Sequence, residues 1–183
     1  MKHVVRKAYF NFEKEEEFLN EMSANGLALI DYSWCKYVFE DAPKGEYIYR
    51  LELLEHPVKH QQSQDYIRFM EETGAEFVVS YQRWVYFRKK AVDGEFHIYT
   101  DNDSKVKHYK RIRFLFLFVF AVNFFAGLLN VFLGNLSVTS GRPPINTYVA
   151  MVSFSVVALL LVFLIIPINK KITALDKERD IRE

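Results

Sequence analysis

Residues 114–136 read FLFLFVFAVNFFAGLLNVFLGNL and residues 148–168 read YVAMVSFSVVALLLVFLIIPI, and neither run carries a charged side chain. At about 1.5 Å rise per residue the first run reaches roughly 34 Å as a helix, enough for a hydrocarbon core of about 30 Å. A buried helix of a soluble domain needs only about 10 to 14 apolar residues, so two such runs in succession predict a transmembrane helical hairpin.

The flanks set its direction. Lys105, Lys107, Lys110, Arg111 and Arg113 precede the first span, and Lys170, Lys171, Lys177, Arg179 and Arg182 follow the second. The connecting residues 137–147 carry Arg142 alone, with Pro143 and Pro144 suited to a tight return. Basic residues stay on the cytoplasmic side, so both termini are expected inside a plasma membrane crossed twice. Residues 1–20 are charged and lack a continuous apolar run, so no signal peptide is expected. The expected layout is a cytoplasmic domain over 1–104, a basic juxtamembrane segment over 105–113, spans over 114–136 and 148–168 about an external loop, and a basic tail over 169–183.

The formal net charge of +1 conceals an acidic domain on a basic collar. Residues 1–104 hold 13 Lys and Arg against 19 Asp and Glu, while the rest hold 11 against 4. An acidic domain is a poor match for a phosphate backbone, so no nucleic-acid partner is expected. The collar serves as a topology signal and can attract anionic lipid. One cysteine, Cys35, excludes an internal disulfide.

Within the domain, residues 4–12 read as a strand. Asn11 can cap a helix whose first turn carries Glu13, Glu15, Glu16 and Glu17, acids favoured by the helix dipole and expected to be solvated. Phe18, Leu19 and Met22 form its buried stripe and Gly26 its stop. Residues 27–40 and 46–54 read as two strands about a turn at 41–45. A second helix at about 63–73, striped by Tyr66, Ile67 and Met70, stops at Gly74. Residues 76–90 read as a long fourth strand and 94–100 as a short fifth.

A shift of 48 residues lays Phe18, Leu19, Met22, Gly26, Leu29, Ile30 and Phe39 on Tyr66, Ile67, Met70, Gly74, Phe77, Val78 and Phe87. Two split β-α-β units imply an α+β, ferredoxin-like sandwich (β-α-β-β-α-β) with one extra strand. Strict alternation then puts Tyr32, Trp34, Lys36, Gln82, Trp84, Tyr86 and Arg88 on the sheet face away from the helices. Such a surface is too apolar to stay wet, and its occupant is a second copy, the chain's own juxtamembrane segment, or a foreign protein or small effector.

Catalytic signals are weak. His56 and His60 stand four apart, but Pro57 between them breaks a helical ligand pair and no third ligand is evident. Cys35, read as mid-strand, has no activating neighbour. Nucleotide-binding glycine motifs and a nucleophile elbow are missing. Neither metal nor cofactor is expected. In the first span Asn123, Gly127, Asn130 and Gly134 recur along one seam, with Ser153, Ser155 and Ala158 as mates on the second.

A set of motifs in the domain resembles a bacterial membrane-protein family catalogued as domain of unknown function 2812. They are the strand Arg6 to Phe10, Met22-x-x-x-Gly26, Tyr37-x-Phe39, Tyr47-x-Tyr49-x-Leu51 and the run EETGAEFVVSYQRWVYF over 71–87. The resemblance implies a Gram-positive origin, a genetic setting beside PadR-type regulators, and a stress or envelope circuit; it assigns no catalytic residue. The expectation is a membrane-tethered cytoplasmic sensor or protein-interaction module, regulatory and without evident catalysis. The alternative is a small membrane enzyme or transporter accessory subunit, its site assembled at the membrane surface.

Overall fold

The structure is a computed structural model that describes residues 1–99, 101–139 and 145–182. It divides into two compact units, Met1–Thr100 and Asp101–Glu183.

The first unit repeats one pattern twice. Strand β1 (Lys2–Arg6), helix α1 (Phe12–Ala24), β2 (Leu27–Ser33) and β3 (Lys36–Asp41) are followed by β4 (Tyr47–Leu53), α2 (Gln61–Glu72), β5 (Glu76–Tyr81) and β6 (Trp84–Lys90). Each half makes a three-stranded antiparallel sheet, β1-β3-β2 and β4-β6-β5. Each has a bulge at the same repeat position, between Leu29 and Asp31 and between Phe77 and Val79.

Both helices start and stop for local reasons. The Asn11 side chain accepts the Glu13 N–H at 2.9 Å, and His60 Nδ1 accepts the Gln62 N–H at 3.3 Å. Gly26 and Gly74 follow the two C-caps at φ +86° and +89°, a left-handed position that suits glycine. A Cβ on Gly26 would also meet the Ala42 carbonyl oxygen at 3.1 Å.

Three expectations change here. Residues 27–40 and 76–90 are two hairpins, each closed by a two-residue turn, Trp34-Cys35 and Gln82-Arg83. Trp34 at φ +33°, Cys35 at +60° and Gln82 at +56° take the left-handed conformation that short hairpin turns demand and that glycine or asparagine usually supplies. Residues 94–99 form no strand; Phe96 instead packs among Ile67, Met70, Val85 and Phe87. The unit is therefore a doubled β-α-β-β arrangement in two sheets rather than one ferredoxin-like sheet with an added strand.

Two apolar clusters hold it. Phe18, Leu19, Leu29, Tyr37, Phe39, Tyr49, Leu51 and Tyr86 form the first; α2 covers the opposite face of β6 through Ile67 and Met70, which meet Val85 and Phe87 in the second. Both faces of the β4-β6-β5 sheet are thus occupied.

The free edge of β4 is covered by α1. The Leu51 N–H donates to Glu16 Oε1 at 2.7 Å, and the Tyr49 N–H to Asn20 Oδ1 at 2.8 Å. Asn20 Nδ2 returns a bond to the Tyr49 carbonyl at 3.3 Å. The Ser23 hydroxyl accepts the Tyr47 N–H and donates to the Tyr47 carbonyl, at 3.2 and 2.7 Å. Positions 16, 20 and 23 share a helix face, and positions 47, 49 and 51 point their peptide groups the same way, so the helix serves as a substitute strand.

The second unit is a helical hairpin. Helix α3 (Asn102–Thr139) runs unbroken for 38 residues, about 57 Å. Helix α4 (Ile145–Leu160) passes through a π-helical stretch, Leu161–Ile165, into α5 (Ile166–Arg182). Pro167 lacks the N–H that an α-helix would direct at Phe163, which accounts for the widened turn just before it. The basic segments expected as collar and tail are helical continuations of the spans, while Arg142, Pro143 and Pro144 of the expected loop lie outside the described residues.

Both helical segments are long and apolar enough to cross a membrane, and only 6% and 22% of their most apolar windows are buried in the folded chain. A core helix of a soluble protein would be mostly covered; these spans expose Phe118, Phe125, Phe132, Val152 and Phe163, a surface suited to lipid. Helices α3 and α4 pack where small residues allow it. A Cβ on Gly127 would stand 3.0 Å from the Phe154 ring, and one on Gly134 would stand 3.2 Å from the Thr147 backbone nitrogen. Asn123 and Asn130 do not bridge the helices. Their amides donate to the carbonyls of Val119 and Ala126 one turn back, at 2.9 and 2.8 Å, the local option open to a short polar side chain. Of the expected mates Ser153 is buried, whereas Ser155 and Ala158 are exposed.

Replacing Asn20 with Ala removes both bonds to Tyr49 and should cost about 2 kcal/mol, read as a lower melting temperature of the detergent-solubilised chain. The double change Trp34→Asn, Cys35→Gly supplies the residues that the turn geometry favours and should gain about 1 kcal/mol in the same measurement. A loss in the second case would show that Trp34 contributes more through packing than its backbone costs.

Candidate functional site

The expected solvation of the first-turn acids does not hold for two of them. Glu15 lies on the apolar stripe of α1, three, four and seven residues before Phe18, Leu19 and Met22, and is only 8% exposed. The hydroxyls of Tyr37 on β3 and Tyr86 on β6 both donate to its Oε1, each at 2.7 Å. One carboxylate oxygen thereby joins the two sheets. Burial pushes the Glu15 carboxyl up from its ordinary range, with the two phenol bonds pulling the other way. Burial beside that carboxylate raises Tyr37 and Tyr86 far above the usual phenol range, so both remain protonated donors.

Tyr32 extends the cluster outward. It pairs directly across from Tyr37, and its ring lies 4.6 Å from that of Tyr37 and 5.0 Å from that of Tyr86. Tyr81 follows at 5.6 Å, then Trp34 at 6.4 Å from Tyr81. This is an aromatic path from the buried carboxylate to a hairpin tip, where Trp34 is 74% exposed.

The residues expected to form one open face are therefore divided. Tyr32, Trp84, Tyr86 and Arg88 turn inward: Tyr86 is 2% exposed, and Trp84 packs against the first cluster and lies 6.0 Å from the Phe12 ring. Arg88 holds Glu76 through two bonds of 2.7 and 2.8 Å, donates to the Leu29 carbonyl at 3.3 Å and covers the Tyr47 ring. Trp34 and Gln82 sit exposed at the two hairpin tips, with half-buried Lys36 beginning β3. Trp84, Tyr86 and Arg88 share one face of β6 opposite Val85 and Phe87, but that face packs against the first cluster; Tyr32 changes face because the bulge between Leu29 and Asp31 and the Trp34-Cys35 turn set it across from Tyr37. A mixed aromatic and polar strand face here reports an interior in which tyrosine hydroxyls meet a buried acid.

Glu16 is the second inward acid. Burial lifts its carboxyl to about 7, against the Leu51 N–H and the Arg50 charge, which pull it down. Cys35 sits in the hairpin turn rather than mid-strand. His56 and His60 stack at 4.3 Å, and among the described residues no group of three or more His, Cys, Asp or Glu could hold a metal ion.

The fold and site define an α+β domain of two β-α-β-β repeats around a buried acid, followed by two membrane-spanning helices. The model of the family described as Protein of unknown function (DUF2812) matches residues 11–121, from the cap of α1 into the first span, and the chain belongs to that family. No curated protein and no solved structure matches it.

A carboxyl whose folded pKa is raised stabilises the fold below its unfolded value of 4.5 and loses that contribution as pH rises through about 7. Glu16→Gln keeps an acceptor for the Leu51 N–H without the charge. It should therefore melt like the parent near pH 4.5 and exceed it at pH 8 by on the order of 2 kcal/mol, read from denaturation curves across that interval.

Proposed function

We propose that this protein is a two-pass membrane protein with both termini cytoplasmic, whose N-terminal domain is a regulatory sensor or protein-interaction module. The observation that carries the reading is Trp34. A large apolar side chain, 74% exposed, stands on a residue held at φ +33° at a hairpin tip. A strained backbone that presents tryptophan to solvent is costly unless the side chain meets something. Gln82 on the neighbouring tip, Tyr81 beneath and Lys36 beside it supply the polar and aromatic surroundings common at interfaces. The reading includes no catalytic step, and the bilayer fixes where the module works.

Orientation is read by cysteine accessibility in a Cys35→Ser background. Thr139→Cys should react with an impermeant maleimide from outside and Asp101→Cys should not; the opposite pattern overturns the topology. Trp34→Ala should leave the unfolding free energy within about 0.5 kcal/mol of the parent. Assembly of the chain in native membranes, read by cross-linking, should fall at least fivefold. Unchanged cross-linking in Trp34→Ala and in Gln82→Ala would remove the hairpin tips as an interaction surface.

A further inference from the structure

The domain contains a buried acid without a counter-ion. Among the described residues no Lys, Arg or His forms an ion pair with Glu15, although it is 8% exposed. Both phenols bond to Oε1, which leaves Oε2 without a hydrogen-bond donor among the described residues. A carboxylate removed from water either takes up a proton or is matched by a cation.

The surroundings say which cation would suit. Tyr32, Tyr37 and Tyr86 bring three rings together beside the carboxylate, and Tyr81 and Trp34 continue the aromatic surface to solvent. Aromatic rings attract cations through their faces, most effectively when the charge is spread over a bulky, weakly hydrated group. A compact metal ion would need several hard ligands converging on one point, and among the described residues no group of three or more His, Cys, Asp or Glu could hold one.

We propose that the Glu15–tyrosine cluster is the binding site of the sensor domain for a bulky organic monocation, of the quaternary ammonium or phosphonium class. The inference rests on the reading of the domain as a sensor and names what it senses. Tyr32 is half-buried between the cluster and the tip, and its hydroxyl accepts the Cys35 N–H at a long 3.4 Å. Entry follows the Tyr32 ring, which swings outward with the strained Trp34-Cys35 turn. The cation then sits against Oε2 with aromatic faces around it, and the movement of Trp34 reports occupancy at the surface.

The test uses the full chain in nonionic detergent, with tetraphenylphosphonium as probe and triphenylphosphine oxide as its neutral counterpart, binding being read by calorimetry. Saturable binding of one phosphonium per chain is expected, weakened at least tenfold in Glu15→Gln and in Tyr32→Leu. The neutral compound should bind parent and Glu15→Gln alike, and micelle partitioning is common to all arms. Equal phosphonium affinity in parent and Glu15→Gln overturns the proposal, as does the lack of saturable binding in the parent. Should Glu15→Gln fail to fold, Tyr32→Leu decides: unchanged affinity there is equally fatal. Loss of phosphonium binding with Trp34-dependent cross-linking intact would reject the ligand class and leave the interaction reading standing; the converse would reject the protein-interaction surface alone.

Discussion

The edge of β4 is the constraint on which the N-terminal domain depends. A three-stranded sheet has two edges of unpaired peptide groups, and an exposed edge recruits other chains. Here Glu16, Asn20 and Ser23 meet the peptide groups of Leu51, Tyr49 and Tyr47 in turn. The helix belongs to the first repeat and the strand to the second, so the same bonds that close the edge also weld the halves. A polar helix face is therefore directed inward, an arrangement that requires an acid, an amide and a hydroxyl in a set order. It also explains why Glu16 tolerates a burial that works against its charge.

Much of this was legible in the sequence. The apolar runs announce the spans, Asn11 and Gly26 delimit α1, and the 48-residue echo exposes the duplication. What escaped were the hairpins at Trp34-Cys35 and Gln82-Arg83. None of these four residues carries the conformational preference that marks a two-residue turn, although Trp34, Cys35 and Gln82 take the left-handed backbone that glycine or asparagine usually supplies. Missing the bulge and turn around Trp34 reversed the parity of Tyr32, whereas Tyr86 keeps its expected face of β6 and is buried because the first cluster covers that face. Glu15 was legible in principle: it falls on the stripe with Phe18, Leu19 and Met22. Four acids in one turn suggested solvent, and only the facing tyrosines show why one of them is buried.

The hairpin follows a different economy. In lipid the hydrophobic effect does not draw helices together, so closeness must come from shape. Gly127 and Gly134 admit Phe154 and Thr147, and the two asparagines satisfy themselves within their own helix. The π-helical stretch before Pro167 turns a missing peptide hydrogen into a change of helical phase, which sets how α5 faces α3 beyond the apolar zone. There Arg113 reaches Asn169 at 3.1 Å and Lys171 lies over the Tyr109 ring.

The two repeats differ at the position of the buried acid. Under the 48-residue shift Glu15 falls on Ser63, also buried, whose hydroxyl donates to the His56 carbonyl at 3.1 Å. A homodimer of single repeats would carry the acid twice, related by symmetry, and two buried negative charges near a common axis would repel. Fusing the repeats into one polypeptide lets the copies diverge, so that one keeps the charge and the other becomes neutral scaffold. The molecule behaves as a covalent heterodimer with itself, and its stoichiometry at that position is one per chain.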